Sequence, residues 1–332
     1  MRGIAVLIMI PCHVFNAFTR LDLRGDGPYV LSQFVGGMAA PLFLLLSGIT
    51  LAFQMDRQDR RQASAGQRYV AALRRAGYVL LLAYLFRLSN WIFSRPLPSY
   101  KALLRVDILN CMGFAMVVLA IAAIPAGATR ARLTTGAGFA IAALAPVINA
   151  FDWQWAPTVL HDYLVPSHLS FAFFPCGAYV AFGISVGTIL KRVAAERVDR
   201  TMQWVLLTGL VTIAVGQYLA NMTYSIYTKS DFWIDGPSLI IIRLGLMLAL
   251  LAAAYVWTEY GATGWSWVQT MGKTSLMVYW VHVMLVYGKV FERWKKSLDF
   301  PQVAMMTVGI TVAMLLLSIA RLRWFRRGAF KR

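Results

Sequence analysis

The chain has 332 residues, of which 59% are hydrophobic and 14% charged, with a formal net charge of +18 and a mean hydropathy of +0.61. That balance excludes a soluble globular domain; the apolar residues come in blocks of about twenty, the length that crosses a bilayer core as a helix. In a soluble protein the charge would point to nucleic acid, but here most basic residues fall in short loops and at the C-terminus, so the implied partner is anionic membrane lipid and not nucleic acid.

The predicted fold is all-α, a polytopic transmembrane helical bundle, with the alternation of a transmembrane barrel absent. About ten spans are expected, roughly at 3–19, 30–53, 76–93, 107–126, 133–150, 169–190, 202–222, 237–257, 268–288 and 302–320. Residues 1–320 form the membrane domain and 321–332 a basic cytoplasmic tail. Loop charge sets the orientation. Arg57, Arg60, Arg61, Arg68, Arg74 and Arg75 mark one cytoplasmic loop, and both termini are expected on that side. Loop 151–168 is then outside. Lys289, Arg293, Lys295 and Lys296 run against the trend, because they fall on the outer side.

The first span, Arg2 to Phe18, carries the organising pattern. Arg2 and His13 are eleven positions apart, and eleven steps of about 100° bring both to one helix face, roughly 16 Å apart along the axis. An ionisable group inside a span is a functional candidate by default; the alternative is a neutral histidine hydrogen-bonded between helices. A signal peptide is disfavoured, since no small-x-small cleavage pattern follows Phe18. In the second span Gly36 and Ala40, then Gly37 and Pro41, place small residues four apart. Such spacing lets helices approach closely, and packing against the first span would fix the direction of His13.

Arg87 and Asp107 lie across a short loop and are expected to pair, either as a structural ion pair or as a substrate contact. The connection 151–168 is aromatic and holds His161, Asp162 and His168, a poor set for a metal, so no metal site is expected. Cys12, Cys111 and Cys176 read as packing residues, not disulfides. The proline of the sixth span, Pro175, is expected to kink it. Asp231, Trp233 and Asp235 mix carboxylates with flat rings, which suits a sugar or polyol and equally suits an interfacial anchor. Arg243 lies inside the eighth span and needs a partner, for which Asp235 and Asp107 are candidates. In the ninth span Ser275, Tyr279 and His282 share one face and are expected to line a cavity.

The Arg-Gly at Arg2-Gly3 with His13 ten residues further on resembles the Arg-x10-His pattern of the integral-membrane acyltransferase-3 superfamily. Three stretches, 36–53, 105–113 and 272–288, look more like its bacterial relatives of heparan-alpha-glucosaminide N-acetyltransferase. The family likeness implies transfer of an acyl group, usually acetyl, from coenzyme A on the cytoplasmic side to a sugar or related acceptor across a membrane, here expected to be the bacterial inner membrane. No permanently bound cofactor is implied; acyl-CoA is a substrate. The position matching His13 carries the reactive or orienting group. The lysosomal branch has asparagine there and a histidine in the following loop; loop 19–29 has none, so the carry-over to His13 follows the acyltransferase-3 pattern. Relatives also carry a segment before the Arg-Gly, so the true start is expected upstream of Met1.

On that resemblance His13 is the expected general base. Arg2, Arg74 and Arg75 are expected to hold donor phosphates. Arg87, Asp107, Asp231, Trp233, Asp235, Arg243, Tyr279 and His282 are the expected acceptor contacts. The rival reading is a proton-coupled transporter or flippase with His13, Arg87, Arg243 and His282 along its path. The absence of an inverted repeat weighs against it.

Overall fold

A computed structural model gives the architecture and describes the chain except residues 94–98, 168–170, 262–263 and 330–332, with the backbone alone described over 325–329. His168 and the end of the basic tail therefore lie outside the described residues. Among those described, the chain is helical throughout: α1 Arg2–Phe18, α2 Gly27–Gly36, α3 Ala39–Arg60, α4 Ala65–Phe93, α5 Ile108–Ala123, α6 Gly127–Ala150, α7 Thr158–Leu164, α8 Phe173–Arg192, α9 Val198–Ala220, α10 Pro237–Val256, α11 Trp267–Lys273, α12 Ser275–Tyr287 and α13 Phe300–Ala329. Among the described residues seven helical stretches are long and apolar enough to cross a membrane, and α1, α5 and α12 are shorter apolar helices. The polytopic all-α class is thus the observed one.

Two expected spans are interrupted. The second divides into α2 and α3 around Gly37 and Met38, where Met38 N–H bonds back to Val35 at 3.0 Å. The ninth divides at Thr274, whose backbone (φ −110°, ψ 15°) leaves the helical region. Its hydroxyl lies 3.2 Å from the Thr270 carbonyl and bonds Ser318 Oγ at 2.7 Å. A hydroxyl that competes for backbone partners in this way weakens a helix locally.

The chain forms two compact units, Met1–Phe43 with Ser89–Leu97 and Thr258–Arg332, and Leu44–Leu88 with Pro98–Trp257. In the first unit α1 touches α2, α11, α12 and α13. Its Val6, Met9, Ile10, Val14 and Ala17, which share one face of the helix, join Met271, Val278 and Val303 in one buried core. Pro11 lies inside α1 and removes one backbone donor. A Cβ added at Gly36 would sit 2.2 Å from Cys12 Cβ, so only glycine allows α2 this close to the residue before His13. Gln33 Nε2 completes the contact by donating to the Cys12 carbonyl at 3.0 Å.

The far end of α1 is held by the backbone of the loop before α13. Leu298 N–H donates to Phe18 O and Arg20 N–H to Leu298 O, both at 3.0 Å. Lys295 in that loop donates to the terminal α12 carbonyl of Tyr287 at 2.9 Å. A cation at a helix C-terminus is favourable, which gives this basic residue, one of four that run against the charge trend, a local structural use.

In the second unit α6 and α5 pack on α8, and α9 on α10. Gly48 of α3 meets the Val180 carbonyl of α8, where a Cβ would lie 2.1 Å from the oxygen. Asp59 binds two arginines, Arg68 at 3.0 Å and Arg130 at 2.9 Å. Arg130 is 1% exposed and also donates to the Ala123 carbonyl at 2.7 Å. Arg68 reaches the Ile124 carbonyl at 2.9 Å. Two arginines, Arg68 in the first turn of α4 and Arg130 in the first turn of α6, thus tie the α3–α4 and α5–α6 connections together.

Candidate functional site

α1 and α12 bring their two histidines into direct contact. His13 Nδ1 lies 2.9 Å from His282 Nε2. The rings are nearly parallel, 8° apart in plane, with centroids 5.1 Å apart. His282 is fully buried, and its Nδ1 lies 2.7 Å from the Val278 carbonyl one turn back on α12. That carbonyl can only accept, so Nδ1 of His282 carries the hydrogen. In a neutral His282 the Nε2 is then a lone pair. His13 Nδ1 must supply the hydrogen between the rings, and His13 Nε2 is left as a lone pair. It takes no hydrogen bond from the described residues, and His13 is only half-buried.

The rest of the His13 neighbourhood is aromatic and polar. The Tyr287 ring meets the His13 ring edge-on, with centroids 5.5 Å apart. The Tyr279 ring lies against His282 at 6.1 Å. Towards the C-terminal end of α1, Asn16 is flanked by the hydroxyls of Tyr287 at 3.4 Å and Tyr29 at 3.5 Å. The groove of about 430 Å³ between α1 and α2 is not part of this site. It is apolar and is lined by Leu7, Ile8 and Pro11, on the face of α1 turned away from His13.

Arg2 is exposed, eleven residues before His13 in the same unit. Arg74 and Arg75 belong to the second unit. Arg74 is exposed, and Arg75 donates to Thr50 Oγ1 at 3.2 Å.

The other expected acceptor residues sit in the second unit, except Tyr279 and His282. Arg87 and Asp107 do pair, at 3.0 Å. Asp107 also caps α5, accepting from Leu109 N–H at 3.1 Å inside a capping box with Asn110. Asp235 is fully buried and accepts from Asn149 Nδ2 at 2.6 Å, Ser230 Oγ at 3.0 Å and Asp231 N–H at 2.7 Å. Asp231 accepts from Trp233 N–H at 2.8 Å. Asp231 closes its own loop, the work that short acidic side chains do in turns, and Asp235 both closes that loop and ties it to Asn149 of α6. Trp233 is exposed.

The expected partner of Arg243 differs from the observed one. Among the described residues no carboxylate lies within ion-pair distance of it; it sits beside Tyr179 and Cys176, because Asp107 and Asp235 are already bound elsewhere.

His161 lies 3.4 Å from Asp162, both half-buried. No group of three metal-ligating side chains occurs among the described residues. The three cysteines are free thiols. Burial, reinforced by the Tyr84 hydroxyl at 3.0 Å, pushes the Tyr163 phenol up, so it remains a neutral hydrogen-bonding group at the foot of α7.

Sequence reasoning placed Tyr279 and His282 on one face but missed that His282 meets His13, since nothing local reports which helices are neighbours. It also passed over Asn16, although i+3 from His13 is the same helix face.

No curated protein matches the chain. The model of the acyltransferase domain family matches residues 1–320, nearly the full length. With that match spanning the histidine pair and both helical units, the chain belongs to the acyltransferase-3 family.

Proposed function

We propose that the protein transfers an acyl group, most simply acetyl, from acyl-coenzyme A to a hydroxyl or amine of a sugar, glycan or related acceptor, with His13 as general base. The observation that carries the reading is the ordered chain Val278 O, His282, His13, which leaves a lone pair on His13 Nε2. The acceptor O–H or N–H gives its proton to Nε2 as its heteroatom attacks the thioester carbonyl. The new C–O or C–N bond forms, the C–S bond breaks, and Nε2 returns the proton to the departing thiolate. While His13 is charged, its Nδ1–H continues to donate to His282, which holds the imidazolium in place as a carboxylate does in a hydrolase triad.

Arg2, Arg74 and Arg75 supply guanidinium groups for the donor phosphates on the cytoplasmic side, with both termini on that side and the inner membrane of a bacterium as the setting. The likeness of 36–53, 105–113 and 272–288 to bacterial heparan-alpha-glucosaminide N-acetyltransferase relatives supports an amino or hydroxyl sugar as acceptor.

The test is turnover of labelled acetyl-coenzyme A by the purified full chain. His13→Ala is expected to lower turnover by about 10²–10⁴-fold with donor affinity retained. Arg74→Ala with Arg75→Ala is expected to raise the donor KM more than it lowers kcat. Proton-coupled uptake without thioester loss would replace this reading by transport.

A further inference from the structure

We infer that Asn16, Tyr29, Tyr287 and Arg24 form the acceptor subsite, built for a hydroxylated ring that carries an anionic group. The inference rests on His13 as the base and adds where the acceptor lies and what charge it bears. Four observations converge on it. Asn16 is one turn beyond His13 on the same face of α1, about 4.5 Å further along the axis. Tyr287 contacts the His13 ring, so the two sites are continuous.

The bonds inside the cluster are slack. Tyr287 Oη to Asn16 Oδ1 is 3.4 Å and Asn16 Nδ2 to Tyr29 Oη is 3.5 Å, against roughly 2.7–3.0 Å for well-made bonds of these kinds. Amide and hydroxyls therefore retain capacity for ligand hydroxyls, and both tyrosines are partly exposed, presenting ring faces of the kind that stack on a sugar.

The fourth observation concerns charge. Arg24 is held in place, with Nη2 donating to the Asn16 carbonyl at 2.7 Å and its guanidinium carbon 5.5 Å from the Tyr29 ring centroid. Its Nε is buried without a hydrogen-bond partner. Among the described residues no carboxylate comes within ion-pair distance of it; the neighbouring Asp22 is bound to Arg20. A positioned guanidinium with an unused N–H and no counter-ion matches a carboxylate or phosphate on the ligand.

The experiment uses the full chain in nanodiscs, with calorimetric binding of methyl glucoside, methyl glucuronide and glucose 6-phosphate, and acetyl transfer from acetyl-coenzyme A measured in parallel. The wild-type protein is expected to bind an acidic probe at least about tenfold more tightly than the neutral one, and the stronger of the two acidic probes separates carboxylate from phosphate. Arg24→Gln should remove the preference, and Arg24→Lys should keep part of it. Asn16→Ala should weaken all three probes. His13→Ala should retain the preference while losing transfer. Equal binding of neutral and acidic probes by the wild type, or an undiminished preference in folded Arg24→Gln, would overturn the subsite. A preference without any wild-type transfer would leave the subsite standing and sink the acyl-transfer reading.

Discussion

His13 and His282 lie 269 positions apart in the chain and share a bond of 2.9 Å. The second ring faces no solvent, and its chemistry is to hold the hydrogen of the first on Nδ1. This separates a positioning role from simple packing. A glutamine at 282 has an amide oxygen to accept from His13 and an N–H to donate to Val278; a leucine has neither. His282→Gln is therefore expected to retain most of kcat. His282→Leu should lower it by tenfold or more, about 1.4 kcal/mol in barrier, at unchanged donor KM. Steady-state kinetics on both variants checks this; equal activities would reduce His282 to a space-filler. The same scale accounts for Asp107 and Asp235. Asp235 has both carboxylate oxygens taken by nearby donors, the arrangement that makes burial of such a group tolerable, whereas Asp107 has Oδ1 bonded to the first turn of α5 and Oδ2 facing the Arg87 guanidinium at 3.0 Å.

At the scale of elements, the direction of His13 depends on how α1 is gripped. Pro11 weakens the helix just before the histidine, and α2 supports that weak point through Gly36 against Cys12 and Gln33 on the Cys12 carbonyl. A methyl at Gly36 would force the helices apart. Gly36→Ala is expected to cost about 1–3 kcal/mol, the range for overpacking, and to lower kcat through displacement of His13. Gly136 on α6 is the control, because an added Cβ there meets nothing within 4 Å; Gly136→Ala should be neutral or slightly stabilising on helix propensity. Thermal unfolding and turnover, measured together, distinguish the two. A stable, fully active Gly36→Ala protein would show that α2 does not set the histidine.

At the scale of the whole molecule, the proposed base His13 belongs to one unit, and of the three proposed phosphate ligands Arg2 belongs to that unit and Arg74 and Arg75 to the other. Orientation across the membrane is testable without any ligand. Reporter fusions after Ala65, in the basic loop, and after Ala156, in the aromatic connection, are expected to give opposite readings, with Ala65 cytoplasmic. The same reading at both positions would remove the assignment of the donor side. The Asp59, Arg68 and Arg130 cluster belongs to this scale too. Arg68, which loop charge alone assigns to orientation, also binds Asp59 and the Ile124 carbonyl, so a count of positive loop residues does not count groups available to a phosphate.

The sequence by itself determined the fold class, because apolar blocks of bilayer length permit only helices whose backbone bonds are internal. It also determined that Arg2 and His13 share a face, since a helix has one period. It did not reveal the breaks at Gly37 and Thr274; the latter accompanies a hydroxyl bond to Ser318 on a distant helix. Nor did it reveal which histidine meets which, or that Asp235 is bound by Asn149 from α6. Those facts belong to tertiary structure alone. Periodicity orients a side chain around its own axis, whereas the partner it meets depends on how separate helices pack, and that is settled by close approach at residues such as Gly36 and by the full set of contacts around α1.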